Sequence, residues 1–266
     1  MHVVSVWLLS TRQPPPVLDR LAGLLDRAEL DRAAPMTEPE VRAEFVVSHA
    51  AARLILADLL AVPPGRLRWR HGRSGKPELA EPDTELRMSL SHSDGLAALA
   101  VSAGVPVGVD VQRLRNAAGL ARMAERYFPP AEARFVAEAA ADPDELGRRF
   151  SMLWSRKEAC AKVGGGRLIP ALAWPSQPEP PGSAGSDQES AYQVVPFRSG
   201  RPVEPVLVRD LAVPDGFFGA VALAGTEDFD LSTHWWAPEL SHPAVAEPAH
   251  PPFDAQTGVP MAVPGC

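Results

Sequence analysis

The feature that most constrains the fold of this chain is a short segment that occurs twice. DGLAALAVSAG at residues 94–104 is similar to DGFFGAVALAG at residues 215–225. Each copy follows an apolar stretch and a turn signal, so we expect each to form the second strand of a β-hairpin. A strand-like segment and a long amphipathic helical pattern precede each copy. The repeat therefore predicts an internal duplication of one α+β unit.

The duplication predicts two halves, residues 1–105 and 106–232, and two halves packed together would leave a cleft, a frequent place for a ligand. Pro, Ser and Gly dominate residues 170–190, and proline recurs through 233–266, so we predict a mobile insertion and a disordered tail. The segments predicted to build the halves are HVVSVWLL at 2–9, a helix at 40–60, VPVGVDVQRL at 105–114 and a helix at 145–163.

The composition argues against several kinds of protein. With 266 residues, of which 45% are hydrophobic, the chain can build one large core or two small ones. A net charge of −7 does not favour nucleic-acid binding, and no apolar run approaches the roughly 20 residues that span a bilayer. The N-terminal residues lack a signal-peptide pattern. The 2 cysteines form no disulfide framework and the 7 histidines lack zinc-site spacing, so we expect a reduced, cytoplasmic protein.

The segment VPVGVDVQRL carries polar side chains on one face of a predicted strand. Its valines alternate with Gly108, Asp110 and Gln112, so Asp110 and Gln112 point the same way. One interpretation is an edge strand with a polar outer face. The other is a pair of oxygen ligands for a hard cation such as Mg²⁺, which Glu158 would complete if its helix lies beside the strand.

The segment WSRKEACAK places Trp154, Glu158 and Lys162 on one face of a predicted helix, about one turn apart. A surface pair of Glu158 and Lys162 is the simple interpretation. The functional interpretation is that Glu158 is a carboxylate ligand and that Lys162 is a cation beside it. We predict that Trp154 packs at the helix–sheet junction, that Cys160 and Ala161 are small packing residues, and that Lys157 is exposed to solvent.

Two further side chains, Arg53 and Lys76, are candidates for holding a phosphate, and Ser91 and His92 offer a hydroxyl and an imidazole. Arg53 lies in an otherwise apolar helix, where either a bound phosphate or an internal carboxylate would be its partner. Lys76, in the loop of GRSGKPEL, is either solvated or a phosphate contact. Ser91 and His92 lie at a turn, where an incidental histidine is the alternative. The glycines at 164–166 follow a helix and are predicted to end it.

The segments GKPEL, SLSHS, GVDVQ and WSRKEACAK together resemble the 4′-phosphopantetheinyl transferases of the Sfp type, over roughly residues 3–225. The resemblance implies a pseudo-twofold pair of α+β halves with the active site in the cleft between them. It also implies transfer of 4′-phosphopantetheine from coenzyme A to a serine of an apo carrier protein, with release of 3′,5′-ADP. The family usually has glutamate at position 112. The glutamine at this position predicts weaker metal affinity or a different metal preference.

The resemblance also assigns roles to residues. Mg²⁺ would bridge the diphosphate of coenzyme A to the chain, with Glu158 as base and Lys162 at the leaving diphosphate. In the family the carrier docks just after the first metal motif, in this chain about 113–135, where Tyr127 and Phe128 are either core or contact residues. The residues assigned are Asp110, Gln112 and Glu158 for the metal, Asp110, Glu158 and Lys162 for catalysis, and Arg53, Lys76, Ser91 and His92 for the nucleotide, with Arg27 and Arg32 as further candidates.

The expected partners are coenzyme A and an acyl or peptidyl carrier of fatty acid, polyketide or nonribosomal peptide synthesis, including secondary metabolite pathways. The resemblance implies a monomer, and the duplication supplies the second half within one chain. Three alternatives stay open: a non-catalytic module that binds coenzyme A or a carrier, an unrelated Mg²⁺-dependent phosphotransferase or hydrolase, and an interaction protein. Binding of coenzyme A and transfer of phosphopantetheine distinguish among them.

Overall fold

The computed structural model describes residues 1–72, 75–165, 168–176, 192–194, 197–198, 201–202 and 204–238. Most of the predicted insertion, from 177 to 190, and the predicted tail from 239 onward lie outside the described residues. The chain divides into two compact units. The N-terminal unit contains His2–His71, Pro77–Gly104 and the described residues from Asp230, and the C-terminal unit contains Gly72–Lys76 and Val105–Phe229.

Both units combine helices with strands. The helices, in chain order, are α1 Pro15–Ala22, α2 Arg27–Ala33, α3 Pro39–Leu59, α4 Leu120–Tyr127, α5 Pro130–Ala137, α6 Pro143–Val163 and α7 Leu168–Ala171, with a 3₁₀ turn at Pro64–Arg66. The strands are β1 His2–Ser10, β2 Arg68–His71, β3 Pro77–Glu81, β4 Leu86–Ser93, β5 Leu96–Ala103, β6 Val107–Arg113, β7 Tyr192–Val194, β8 Phe197–Arg198, β9 Arg201–Pro202, β10 Val206–Asp210, β11 Phe217–Ala224 and β12 Phe229–Trp236. Within the described residues, no helix has both the length and the apolarity needed to cross a membrane.

In the N-terminal unit, a four-stranded sheet has the order β12-β1-β5-β4. Strands β4 and β5 form the predicted hairpin, and β1 pairs antiparallel with β5 from Val4↔Ser102 to Ser10↔Leu96. Helix α3 contributes its apolar residues to the core that Trp7 and Leu9 of β1 also line. The edge strand β12 overlaps the predicted tail, so the prediction of disorder is wrong for residues 233–236. The polar and aromatic residues of this strand lack a clear alternation that would predict it.

In the C-terminal unit, a four-stranded sheet has the order β6-β11-β10-β7. Strand β6 pairs antiparallel with β11 from Val107↔Leu223 to Arg113↔Phe217. Helix α6 lies directly on β6, because a Cβ atom added at Gly108 would come within 2.0 Å of the Ala159 carbonyl oxygen. Only glycine permits so close an approach, so Gly108 sets the distance between helix and strand.

The two sheets repeat one arrangement, in which the first strand pairs with the second strand of a hairpin (β1-β5-β4 and β6-β11-β10). A helix of 21 residues stands between that first strand and the hairpin in both units. The predicted helices at 40–60 and 145–163 agree with α3 and α6 to within two residues. The α+β class is therefore confirmed, whereas the pseudo-twofold relation and the cleft stay predictions.

Candidate active site

Asp110, Glu158 and Lys162 come together where β6 meets α6. Gly108 faces Ala159, so Asp110, two residues further along the strand, also faces the helix. Lys162 Nζ donates to Asp110 Oδ1 at 2.7 Å and to the Val109 carbonyl at 3.0 Å. The same Nζ lies 3.8 Å from Glu158 Oε2, one helical turn away. The strand alternation and the four-residue helix spacing thus direct all three side chains to one place.

Two carboxylates lie near one ammonium group in this cluster. Asp110 is buried, and only 24% of the Glu158 side chain is exposed. Burial, followed by the negative charge of Asp110, raises the pKa of Glu158, against smaller opposing effects of Lys162, Arg115 and Trp154. Repulsion between the carboxylates makes the cluster a favourable place for an additional cation.

The donor set fits Mg²⁺. This ion uses oxygen ligands and typically takes one or two carboxylates, with water and substrate phosphates completing its shell. Asp110 and Glu158 supply two such carboxylates. In the part of the chain that the structure describes, no group of three or more His, Cys, Asp or Glu side chains could hold a metal. A metal at this place would therefore depend on phosphate and water oxygens as well as on the protein.

Gln112 has its amide engaged with arginines. Its Oε1 accepts from Arg115 Nη2 at 3.2 Å, and its Nε2 donates to the Arg113 carbonyl at 3.0 Å. A lone pair of Oε1 is thus used by a cation, which does not favour the predicted role of Gln112 as a metal ligand. That role stays a prediction.

Arg115 belongs to the same place, although no sequence pattern pointed to it. Its guanidinium carbon lies 4.6 Å from the centroid of the Trp154 ring, and its backbone N–H donates to Ser151 Oγ at 3.1 Å. A Cβ atom at Gly147 would come within 2.7 Å of the Arg115 carbonyl oxygen, so this segment also lies against α6. Arg115 follows the end of β6, where no strand period predicts its direction. A glycine inside a helix, Gly147 of α6, is a sequence signal that could have indicated a close neighbour.

Trp154 packs as predicted, but it lies among helices and not at the predicted helix–sheet junction. It is 7% exposed and stacks on Phe150 with the ring centroids 5.6 Å apart, within a cluster of apolar residues from α4, α5 and α6. One face of the indole therefore supports the helix, while the Arg115 guanidinium covers the ring.

Lys76 connects the end of α6 to the start of β6. Its Nζ donates to the Val107 carbonyl and to the Lys162 carbonyl, both at 2.8 Å. A cation at a helix C-terminus is favourable, because it satisfies terminal carbonyls and opposes the helix dipole. The structure thus assigns Lys76 carbonyl partners, and the predicted phosphate contact stays untested.

Arg53 has the internal carboxylate partners that the sequence left open as an alternative. The side chain is 1% exposed, and its Nε donates to Glu29 Oε2 at 2.7 Å while Nη2 pairs with Asp26. Nη1 donates to the carbonyls of Pro64 and Leu67 at 3.3 and 3.1 Å. Contact between Arg53 and coenzyme A would require breaking some of these bonds, and it stays a prediction.

The other nucleotide candidates lie on the N-terminal unit. Ser91 is buried on β4, and His92 Nδ1 lies 3.2 Å from Glu44 Oε2. Arg27 pairs with Asp31 on an exposed face of α2, whereas the Arg32 guanidinium lies 5.3 Å from the Phe45 ring centroid. The structure assigns none of them a ligand.

The prediction that Lys157 is solvated is wrong. Its side chain is 0% exposed and forms an ion pair with buried Glu132 of α5. Its Nζ also donates to the Trp174 carbonyl and lies 4.9 Å from the Phe128 ring centroid. The sequence could not show this, because the partners lie on elements distant in sequence.

Several smaller predictions are confirmed. Phe128 is buried in the core and Tyr127 is half-buried beside it. Cys160 and Ala161 are buried packing residues, and burial raises the pKa of the Cys160 thiol to about 12, so it is unreactive. Helix α6 ends at Val163 before Gly164, while position 166 lies outside the described residues.

Comparison with known proteins shows similarity over the part of the chain that contains this site. The family model of the 4′-phosphopantetheinyl transferase superfamily matches residues 106–185, which include Asp110, Glu158 and Lys162. The 4′-phosphopantetheinyl transferase HetI of Nostoc sp. is 34% identical over 165 residues, covering 61% of this chain and 68% of HetI. AcpT of Escherichia coli, also named a 4′-phosphopantetheinyl transferase, is 34% identical over 116 residues, covering 44% of this chain and 56% of AcpT. A phosphopantetheinyl transferase of Thraustochytrium sp. is 26% identical over 163 residues, covering 55% of this chain and 54% of the relative. The chain belongs to the 4′-phosphopantetheinyl transferase superfamily.

Proposed function

We propose that this chain transfers 4′-phosphopantetheine from coenzyme A to a serine hydroxyl of an apo carrier protein, in a reaction that depends on Mg²⁺. The observation that carries the proposal is the convergence of Asp110, Glu158 and Lys162 within the region that matches the superfamily. The nucleophile belongs to the carrier, so the chain needs to supply a base, charge neutralisation and positioning.

Asp110 and Glu158 are the residues that would hold Mg²⁺. When bound, the metal would supply Lewis-acid neutralisation of the charge on the diphosphate. In the proposed step, the serine oxygen attacks the phosphorus that carries pantetheine, and the bond from that phosphorus to the oxygen of the 3′,5′-ADP group breaks. The serine proton passes to a Glu158 carboxylate oxygen, directly or through a water.

Lys162 is the cation proposed for the leaving group. Its ammonium is held by Asp110 and the Val109 carbonyl, so its position beside the carboxylates is set before substrate binds. A preorganised positive charge stabilises negative charge that develops on the departing diphosphate oxygen. Lys76 supports this arrangement, because it binds the backbone carbonyl of the same lysine.

The finer assignments are part of the same proposal. They include an Sfp-type enzyme that acts as a cytoplasmic monomer on acyl or peptidyl carriers, including those of secondary metabolism. They also include coenzyme A contacts by Lys76, Ser91 and His92. The position of His92 on the surface of its unit supports such a contact, since 36% of the side chain is exposed. Arg53 is a weaker candidate because its hydrogen bonds are used internally.

Incubation of the full chain with coenzyme A, Mg²⁺ and a panel of apo carrier proteins tests the proposal. Mass spectrometry is expected to show the addition of one phosphopantetheine to the serine of at least one carrier, and none without metal. A chain that binds coenzyme A yet modifies no carrier would be a non-catalytic binding module. A chain that does not bind coenzyme A would be a different kind of protein.

A further inference from the structure

We propose that Arg115 is a further binding residue of this active site, which contacts an oxygen of the coenzyme A diphosphate, and that Gln112 holds its guanidinium for this purpose. The inference rests on the proposed function and adds a residue to it. No strand or helix pattern pointed to Arg115, and its place became visible only in the three-dimensional structure.

Arg115 is held by one residue from each of the two motifs that form the site. Its Nη2 donates to Gln112 Oε1 at 3.2 Å, and Gln112 is two residues from Asp110 on the same face of β6. Its guanidinium stacks 4.6 Å from the Trp154 centroid, and Trp154 is one helical turn before Glu158. The guanidinium is thus fixed beside the carboxylate cluster from both sides, and its charge partly opposes the rise in the pKa of Glu158 that burial and Asp110 cause.

The Arg115 guanidinium donates to a neutral amide, that of Gln112. A carboxylate there would form an ion pair with Arg115 and cancel its charge, whereas the amide of Gln112 orients the arginine without neutralising it. The Arg115 Nε–H is buried and makes no hydrogen bond within the described part of the chain. The Arg115 side chain is half-buried, so its guanidinium is partly desolvated. A positive charge in such surroundings attracts an anion more strongly than it does in bulk water.

The diphosphate of coenzyme A is the anion whose chemistry suits the Arg115 guanidinium. The planar fork of an arginine matches phosphate oxygens, and the family substrate carries a diphosphate at the reacting bond. The glutamine at 112 then has a physical meaning. Relative to a glutamate, the site loses one negative charge available to a metal, and Arg115 keeps one positive charge available to the phosphates.

Binding of nucleotide to the full chain without divalent metal tests the proposal. Calorimetry with coenzyme A and with dephospho-coenzyme A separates the phosphates, because the second ligand lacks the 3′-phosphate but keeps the diphosphate. Arg115→Met is expected to weaken binding of both ligands by on the order of tenfold to a hundredfold, as for loss of one charge-assisted contact.

Arg209→Met is the matched control. Arg209 lies in the same unit, donates to Asp228 Oδ1 at 2.8 Å and stacks 5.2 Å from the Phe229 centroid, so its loss removes similar contacts. The control is expected to bind both ligands within about twofold of the unmodified chain.

Equal binding by the two variants would overturn the proposal, as would loss of coenzyme A affinity with dephospho-coenzyme A affinity unchanged. If Arg115→Met does not fold, Arg115→Lys retains the charge, loses the fork and is expected to show a smaller loss for both ligands.

Gln112→Glu gives a second readout that does not depend on activity. We expect the new carboxylate to pair with Arg115, to weaken metal-free nucleotide binding and to tighten Mn²⁺ binding measured by electron paramagnetic resonance. In the Arg115→Met background the effect of Gln112→Glu on nucleotide binding should disappear. Additive effects of the two substitutions would contradict the proposal. If the unmodified chain binds neither nucleotide even when Mg²⁺ is added, the proposed function itself fails, whereas normal binding by Arg115→Met removes only the role of Arg115.

Discussion

The N-terminal and C-terminal units share an order of elements but use the charges near their long helices differently. In the N-terminal unit, β1 contributes Trp7 and Leu9 to the core shared with α3, and the buried Arg53 is bound by Asp26 and Glu29. In the C-terminal unit, β6 turns polar Asp110 toward α6. Similar orders of elements therefore carry a neutralised ion-pair network in one unit and the cluster of Asp110, Glu158 and Lys162, the candidate cluster, in the other.

The C-terminal unit also contains a structural ion pair, so the difference is not the presence of buried charge. Lys157 of α6 forms a buried ion pair with Glu132 and donates a hydrogen bond to a backbone carbonyl inside the protein. Lys162, five residues later, is partly exposed and lies beside two carboxylates. One helix thus directs one lysine toward the core and another toward the candidate site, and the two differ in their exposure and in the number of carboxylates beside them.

The largest effect is expected from removing a carboxylate of the candidate cluster. Asp110→Ala or Glu158→Ala should lower the rate of carrier modification by on the order of 10³-fold or more, because metal binding and proton removal are both affected. Asp228→Ala, which removes an exposed carboxylate of the same unit, is the control and should retain the rate. Wild-type rates in either well-folded cluster variant would remove the assignment of the site.

Breaking the structural ion pair should affect stability instead. Lys157→Met leaves Glu132 buried without its cation, which is expected to cost about 3–5 kcal/mol in the free energy of unfolding. Urea denaturation measures the loss, and Lys157→Met combined with Glu132→Leu should recover part of it. A loss below about 1 kcal/mol would show that the pair is not the structural counterpart of the Arg53 network.

The contact between α6 and β6 can be altered without touching a charge. Gly108→Ala places a methyl group against the Ala159 carbonyl, so the helix must move away from the strand and carry Glu158 and Lys162 from Asp110. We expect transfer to fall by on the order of 10²-fold, with a stability loss of about 1–3 kcal/mol. Gly65→Ala is the control, since a Cβ atom there meets nothing within 4 Å. Equal rates in the two variants would show that this spacing is unimportant.

The smallest expected effect concerns the ionisation of Glu158 in metal-free protein. Because its pKa is raised in the folded state, the folded chain holds this proton more tightly than the unfolded chain does. The resulting stability is present below the ordinary value of 4.5 and is lost as the pH rises through the raised pKa. Glu158→Gln should therefore raise the melting temperature at pH 7 more than at pH 4. A larger gain at pH 4 would contradict the sign. Glu29, whose pKa is lowered, should show the reverse dependence on pH.

Local periodicity predicted the parts of the site that lie within one strand or one helix. Alternation placed Asp110 and Gln112 on one face, and the four-residue spacing placed Glu158 beside Lys162. The contacts of Arg53 with Asp26 and Glu29, of Lys157 with Glu132 and of Lys76 with the Lys162 carbonyl were not predictable in this way. Each joins residues at least 24 positions apart, and no period relates such pairs.

By itself, the sequence determined the α+β class, the motifs that identify the superfamily and the direction of the side chains within each element. Those properties follow from the covalent order of the residues and from the repeat of a strand or a helix. Only the tertiary structure decided which charges are neutralised and which remain available, because burial and distant partners set the free energy of a charge. Lys157 and Lys162 lie on the same helix, and their surroundings alone separate a structural lysine from one at the candidate site.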